Sequence, residues 1–156
     1  MEEFQENLKE AARRLQIAAH MTYLTYPMIN DKRILLKIFK EIFNSINCGI
    51  RAALFFEAKL SDVSVYSDNE FNMQLFVNKF SKFYELEDRQ IGRLMEIYEL
   101  NKIHEDSAME FVKKEKMVIM SDNLGLKTMD IQKIKEYLFF AKEFLKSINE
   151  RLKIED

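Results

Sequence analysis

The sequence has few residues that make turns, with three glycines and one proline among 156 residues. An all-β fold needs many such residues in its tight turns, so their scarcity favours a helical fold before any pattern is considered. Long uncharged apolar stretches are absent as well, because Lys37, Lys40 and Arg51 interrupt the most apolar region. The amino terminus lacks the positive region and apolar stretch of a signal peptide. We therefore expect a cytoplasmic protein with no membrane partner.

Residues that commonly carry chemistry are scarce too. Cys48 is the single cysteine, which excludes an intramolecular disulfide and a cysteine-based zinc site. His20 and His104 are the two histidines, too few for a multi-histidine metal site. The sequence has neither a glycine-rich phosphate loop nor a Ser-His-Asp spacing. We expect neither a cofactor nor a bound metal.

Apolar and charged residues are both abundant. They make up 47% and 32% of the chain, a composition typical of a soluble globular domain. The length suits one domain. The formal net charge of -2 gives no overall attraction to nucleic acid or to an anionic membrane, so any surface of that kind must be local.

The longest helical pattern extends from Asp31 to about Leu60. Apolar residues cover nearly every side of it, and a helix of that kind is buried. The polar residues follow one line at steps of three and four: Arg33, Lys37, Lys40, Asn44, Asn47 and Arg51. The pattern predicts an unbroken helix that is either the centre of an elongated bundle or shared with a second copy of the chain.

A first helical pattern covers residues 2–26, with apolar residues recurring along one stripe. Proline is a common helix terminator, so we expect Pro27 to end this helix and Asn30 to cap the next one. A connection this short requires the two helices to be antiparallel.

The segment after the long helix contains shorter helical patterns. Ser67 with Glu70 has the spacing of a capping box and predicts a helix that begins there. Residues 88–104 predict another helix. Ser107 with Glu110 repeats the capping-box spacing and predicts a short helix through about residue 114.

The helical rhythm breaks beyond that point. Residues 117–120 are a short apolar run, residues 121–125 have the composition of a turn, and residues 126–129 form a second short segment. Two short segments around a turn predict a small β-hairpin near residues 117–129.

The last helical pattern covers residues 130–153 and carries a regular apolar seam. Its seam residues alternate in steps of three and four, as in a coiled coil. They are Ile131, Ile134, Leu138, Ala141, Leu145, Ile148 and Leu152. We expect this helix to pack along the first two helices or against a partner chain.

These elements predict an all-α fold, an antiparallel bundle of five to six helices in a single domain of residues 1–156. The core bundle consists of residues 1–60 and 130–156. Residues 61–129 form a helical insert that carries the hairpin.

Two polar features each have two interpretations. The polar line of the long helix is either its exposed side or an inward face whose groups need a ligand or a second copy. The tyrosines and threonines of residues 22–26 either line an anion pocket with Lys32 and Arg33 at the start of the second helix, or pack and bond locally.

Arg13 and His20 lie seven residues apart, so both project from one face of the first helix. Arginine stabilises phosphate charge and histidine moves a proton near neutral pH. The spacing Arg13-x6-His20, or Arg14-x5-His20, resembles the Arg-x4-6-His motif of HEPN domains. That resemblance implies an all-helical, often dimeric protein that cleaves RNA without a metal, with Arg13 and His20 as the catalytic residues.

The run from Ala19 to Pro27 also resembles small uncharacterised archaeal helical proteins, a resemblance that implies no activity. A separate interpretation comes from residues 68–129, where three helices followed by a hairpin match the order of a winged helix. Four lysines near that hairpin are the candidate nucleic-acid contacts: Lys113, Lys114, Lys116 and Lys127.

We interpret the chain as an interaction or binding module that acts as a homo-oligomer through its second or last helix. The alternative is a HEPN-like endoribonuclease that uses Arg13 and His20. A winged-helix-like nucleic-acid binder is the third interpretation. RNA is a possible partner through the nuclease interpretation, and DNA is a weaker candidate because carboxylates near the hairpin lysines would repel phosphates.

Overall fold

The computed structural model describes residues 2–107, 109–121 and 125–154. They form a helical bundle with one small antiparallel sheet. The helices are α1 (Glu3–His20), α2 (Tyr26–Ile29), α3 (Ile34–Ala58), α4 (Asn69–Phe80), α5 (Asp88–Glu105) and α6 (Ile131–Ile154). A π-helical turn, Met21–Thr25, joins α1 to α2. The strands are β1 (Met109–Lys113), β2 (Lys116–Met120) and β3 (Leu126–Met129).

The first helical segment continues past its proline, so the expectation that Pro27 ends it is wrong. Pro27 lies in the first turn of α2, just after the π-helical turn, where the backbone bonding pattern is already changed. A proline is tolerated there because it lacks only a donor that would be unpaired anyway. The segment ends at Asn30, whose backbone is left-handed at φ 55°. Asn30 therefore closes the first helix instead of capping the second.

Helix α3 is unbroken over 25 residues, as the sequence predicts. At 1.5 Å per residue it is about 37 Å long. It contacts α1, α4, α5 and α6 of the same chain, and most of its side chains are buried. The prediction of a bundle built around this helix is therefore confirmed, and the same chain covers its apolar sides.

Side-chain contacts give the direction of each helix. Helix α1 is antiparallel to α3, because Ser45 bonds the carbonyl oxygen of Ala11 at 2.7 Å while Lys59 pairs with Glu2 at 3.0 Å. Helix α5 is also antiparallel to α3. Helix α6, however, is parallel to α3, since contacts advance together from Phe39–Tyr137 to Glu57–Arg151. The bundle is thus antiparallel in part only.

The seam of α6 packs inside the chain. Six of its seven residues are buried and Ile131 is half-buried. They face α3 and α1, so the expectation that α6 packs along the first two helices is confirmed. The apolar faces of α3 and α6, the two helices proposed for self-association, are thus covered within one subunit. Self-association itself stays a prediction.

Of the two helices predicted from capping-box spacings, one forms and the other does not. Helix α4 forms, but Asp68 caps it by accepting the Glu70 N–H at 3.0 Å, one residue after the predicted cap. Helix α5 forms over the predicted range and one residue beyond. The prediction of a short helix after Ser107 is wrong, because strand β1 begins at Met109. The Ser107 hydroxyl does donate a hydrogen bond to the Glu110 carboxylate at 3.1 Å. The backbone after it is nevertheless extended, because it pairs with β2.

The predicted hairpin is confirmed and is part of a larger sheet. Strand β2 pairs antiparallel with β3, and β1 joins its other edge in the order β1-β2-β3. Its buried residues Met117, Ile119 and Met129 join the main core. The fold is therefore mostly helical, and the all-α prediction is corrected by a three-stranded sheet. Residues 122–124 of the predicted turn lie outside the described residues.

Two features are absent from the part of the chain that the structure describes. None of the helices described here is long and apolar enough to cross a membrane. Within the same residues, no group of three or more histidine, cysteine, aspartate or glutamate side chains could hold a metal ion.

Candidate binding groove between the first and last helices

Helices α1 and α6 lie side by side on α3, and a groove follows their line of contact. Its larger segment passes Leu15 and Leu145 and has a volume of about 1180 Å³. A second segment of about 400 Å³ continues past Phe4 and Leu152 toward the other end of the helices. We call the two segments together the α1–α6 groove. Its length along α1 is roughly 22 Å, equal to about four turns of helix.

The floor of the groove is apolar. Small residues of α1 leave room above it, because Ala12 and Ala19 carry no side chain beyond Cβ. Ala12 lines both segments and is exposed, so it marks the middle of the groove. The apolar residues along the larger segment are Leu8, Ala12, Leu15, Ala19 and Leu145. This floor has the width and chemistry to receive the apolar side chains of another helix.

The rim of the groove is strongly basic. Its five cationic residues are Lys9, Arg13, Lys142, Lys146 and Lys153, and its two acidic residues are Glu6 and Glu10. None of the four lysines forms an ion pair with a carboxylate of the described residues. The charge at this groove is therefore positive, although the whole chain has a net charge of -2. An anionic partner gains from that local field.

Arg13 is held by a carboxylate on its own helix. Its guanidinium donates two hydrogen bonds to Glu10, at 2.6 and 2.9 Å. Arg14 donates to Glu10 as well and also to Glu41 of α3. The bonds from Arg13, followed by those from Arg14, lower the pKa of Glu10 to about 2. Glu10 is therefore ionised at neutral pH and holds Arg13 along the rim.

His20 lies at the carboxyl end of α1, directly before the π-helical turn. Its side chain is exposed, and its ring forms no hydrogen bond with the described residues. It shares a helix face with Arg13 but lies roughly 10 Å farther along the axis. The Arg13 guanidinium points back toward Glu10, on the side away from His20. The structure thus exposes both predicted residues without bringing their reactive groups together.

The four hairpin lysines are also separated. Lys113 and Lys116 face each other across β1 and β2, and Lys114 lies in the turn between them. Lys127 lies on β3, beside Glu96 and Glu99 of α5. The winged-helix interpretation needed a third helix before the hairpin, and that position holds β1. Three of the four lysines therefore form one exposed cluster, but the helix order behind the interpretation is absent.

The polar line of α3 faces its own chain in part. Asn47 is buried and accepts a hydrogen bond from the Tyr98 hydroxyl of α5. Lys40 donates to Asn101 at 3.3 Å and to Glu105 at 3.0 Å. The Lys40 ammonium and the Asn47 side-chain oxygen thus find their partners on α5, while the buried Asn47 Nδ2 has none among the described residues. This corrects the interpretation of the line as simply an exposed side.

The suspected anion pocket is filled by a lysine. Lys32 is buried and lies over the Tyr26 ring, 5.3 Å from its centre. Its ammonium donates to the Asn30 side chain and pairs with Glu115 of the β1–β2 turn, both at 2.7 Å. Asp31 accepts the Arg33 backbone N–H at 3.0 Å. The local-packing interpretation therefore holds for Tyr26 and for Thr22, whose hydroxyl donates to the Ala18 carbonyl oxygen, but Tyr23 is 52% exposed.

The sequence reasoning missed the α6 side of the groove. Lys142, Lys146 and Lys153 are spaced by four and seven residues, so they form one line beside the buried seam. That spacing was a usable signal that the seam has a basic flank. No pattern indicated that α1 would lie against the same flank, because that contact arises from tertiary packing.

Comparison with known proteins adds no relative. The chain matches no family model, no curated protein and no solved structure.

Proposed function

We propose that this protein is a binding module that holds an amphipathic helix of a partner protein, with acidic flanks, in the α1–α6 groove. The observation that carries this proposal is an apolar floor bordered on both helices by cationic side chains. The sequence predicts the same class of protein, an interaction module, but does not indicate which surface binds the partner.

The shape of the groove favours a helix. Two helices in contact leave a straight apolar channel that accepts side chains spaced at i, i+3, i+4 and i+7 of a third helix. The groove is long enough for roughly 15 residues of such a helix. An extended peptide would instead need unpaired backbone groups along the channel, and helices α1 and α6 offer none in their central turns.

The charge of the groove favours acidic flanks. A helix centred on the floor would place its flanking residues beside Lys9 on one side and Lys142 and Lys146 on the other. Opposite charges there speed the encounter and select against basic helices. Nucleic acid would contact the lysines but would leave the apolar floor exposed to water. An amphipathic helix with acidic flanks contacts both, so it fits the groove better.

The direct test measures binding of a labelled synthetic helix by fluorescence anisotropy. The probe has leucines at i, i+3, i+4 and i+7, and glutamates at its flanking positions. We expect it to bind, and we expect affinity to fall as salt rises. The matched probe with lysines in place of glutamates should bind at least about tenfold more weakly.

Two variants locate the binding. Ala12→Trp fills the middle of the groove and should weaken binding by about tenfold or more. Lys142→Glu with Lys146→Glu should weaken it by a similar factor. Lys79→Glu with Lys82→Glu, on exposed residues at the end of α4, is the matched control and should leave it unchanged. Equal binding of both probes, or binding that survives both groove variants, would contradict the proposal.

A second candidate function is metal-independent cleavage of RNA by Arg13 and His20. The observation that favours it is the exposure of both side chains on one face of α1. His20 also adjoins a π-helical turn, a feature frequent at functional sites. Against it, Arg13 would have to leave Glu10 before it could contact a phosphate.

The nuclease candidate is tested with a fluorescent single-stranded RNA in the presence of a metal chelator. If it is correct, the wild-type protein cleaves the RNA and His20→Ala loses the activity by a factor of about 100 or more. Ala12→Trp, which blocks the groove without touching His20, serves as the control. Absence of cleavage by the wild-type protein removes this candidate and leaves the binding module unaffected.

A further inference from the structure

The end of the first helical hairpin carries an exposed apolar patch that the α1–α6 groove does not include. Its members lie in the π-helical turn and in α2. Met28 is 84% exposed and Ile29 is 60% exposed. Leu24 and Tyr23 are also more than half exposed. We call these four residues the tip patch. The Lys135 ammonium of α6 lies over the Tyr23 ring, 5.6 Å from its centre, and so adds positive charge at the edge of the patch. Apolar side chains that project as far as Met28 and Ile29 mark an interaction surface.

A basic cluster adjoins the tip patch. Asn30 follows Ile29 directly, and its side chain accepts a hydrogen bond from Lys32 at 2.7 Å. The same ammonium pairs with Glu115 in the β1–β2 turn at 2.7 Å. This chain of two contacts fixes the turn against the tip. The turn presents three exposed lysines: Lys113, Lys114 and Lys116.

The acidic groups of this region are already paired. Glu115 is bound to Lys32, and Asp31 is bound to Arg33 at 2.8 Å. The three turn lysines form no ion pair with a carboxylate of the described residues. The free charge beside the tip patch is therefore positive.

The outward projection of the tip patch distinguishes between three kinds of partner: a docked helix or strand, a second copy of the chain, and an anionic surface. Its side chains project outward, whereas a docked helix or strand needs a concave site. A second copy would bring the same three lysines together across a twofold axis, and like charges there are repulsive. A deformable anionic surface can take up projecting apolar side chains and, at the same time, attract the adjacent lysines.

We propose that the tip patch and the three turn lysines dock the protein peripherally on an anionic phospholipid surface. Met28 and Ile29 enter the interface between headgroups and acyl chains, and Tyr23 lies at headgroup level, where aromatic rings are favoured. Lys113, Lys114 and Lys116 contact the lipid phosphates. The expectation of no membrane partner rested on the lack of a long apolar stretch, and this proposal concerns peripheral contact instead. The site is independent of the groove.

The test is co-sedimentation of the full chain with vesicles of phosphatidylcholine alone or mixed with phosphatidylserine. We expect binding to the mixed vesicles and much weaker binding to the neutral ones. Met28→Ser with Ile29→Ser should reduce partition by about tenfold. Lys113→Gln with Lys116→Gln should reduce it by about tenfold or more, because each lysine near the surface contributes severalfold.

Matched variants show whether the loss of any exposed apolar residue, or of any two lysines, lowers vesicle binding. Leu60→Ser removes an apolar side chain that is 58% exposed at the other end of α3. Lys79→Gln with Lys82→Gln removes two lysines elsewhere, and Lys142→Gln with Lys146→Gln removes two from the groove. All three should keep wild-type partition. All substituted side chains are exposed, and circular dichroism checks the fold of each variant.

Each outcome bears on the proposal. Failure of the wild-type chain to sediment with mixed vesicles overturns it. Equal binding to neutral vesicles overturns the role of the lysines. Loss of binding in the groove variant, with the tip variants unchanged, would assign the lipid contact to the groove and overturn the tip site. Binding lost only in the two tip variants supports the proposal and leaves the partner-helix experiment unaffected.

Discussion

Replacing Arg151 with methionine is expected to lower the free energy of unfolding by about 3 to 5 kcal/mol. Arg151 on α6 donates to Glu57 of α3 at 3.2 Å, and the Tyr84 hydroxyl donates to the same oxygen at 3.0 Å. Glu57 is 2% exposed, so its carboxylate depends on these donors. Burial and the charge of Glu57 raise the pKa of Tyr84, which keeps its hydroxyl protonated as a donor. Without Arg151, the carboxylate is buried with its charge uncompensated.

Chemical denaturation of the variant series measures this effect. Glu57→Gln combined with Arg151→Met removes both charges and should recover most of the lost stability, because the cost comes from an unpaired charge. Lys59→Met breaks an exposed pair with Glu2 and should change stability by less than about 1 kcal/mol. A loss below about 1 kcal/mol in Arg151→Met would show that water reaches Glu57.

Gly49→Leu is expected to destabilise the protein by about 3 kcal/mol. Gly49 is buried in α3 and faces α6. A Cβ atom added there would lie 2.6 Å from Leu145 Cδ2 and 3.3 Å from Ile148 Cδ1. A leucine side chain has no space at this crossing, so α6 must move away from α3.

The two helical glycines form a matched comparison. Gly49→Ala should stay within about 1 kcal/mol of wild type, because Leu145 Cδ2 is the end of a flexible side chain and alanine favours the helix. Gly92→Ala in α5 should stabilise by about 0.5 to 1 kcal/mol, since nothing lies within 4 Å of the added Cβ. Thermal and denaturant unfolding give both values. A tolerated Gly49→Leu would contradict the close crossing.

The long apolar helix was predictable because its signal is local and strong. Twenty-five residues that are apolar nearly all round admit no other element, and α3 forms accordingly. The seam of α6 was predictable for the same reason. The β2–β3 hairpin followed from two short segments around a turn.

The errors come from places where two structures compete for one short segment. Ser107 and Glu110 have the spacing of a helical cap, but a helix as short as the predicted one is less stable than a strand that pairs with β2. Asn30 suits the amino end of a helix and equally the left-handed residue that closes one. In both places the local preferences for the two structures differ by too little, so tertiary packing determines which one forms.

The candidate site was predictable only in fragments. Arg13 and the three turn lysines are visible in the sequence, and the structure places Arg13 on the groove rim and the lysines beside the tip patch. The α6 lysines could have been found from their spacing. Their juxtaposition with α1 could not, because it depends on how α3 carries both helices.

By itself, the sequence determined that the protein is mostly helical, that α3 is buried and that α6 has one apolar face. Periodicity reports which side of an element avoids water, and that is a property of the segment alone. Tertiary structure alone decided that α6 is parallel to α3, that α1 and α6 enclose a basic groove, and that the β1–β2 turn lies against the helical tip. These contacts join residues far apart in the chain, and their partners are chosen by packing and charge across the whole molecule.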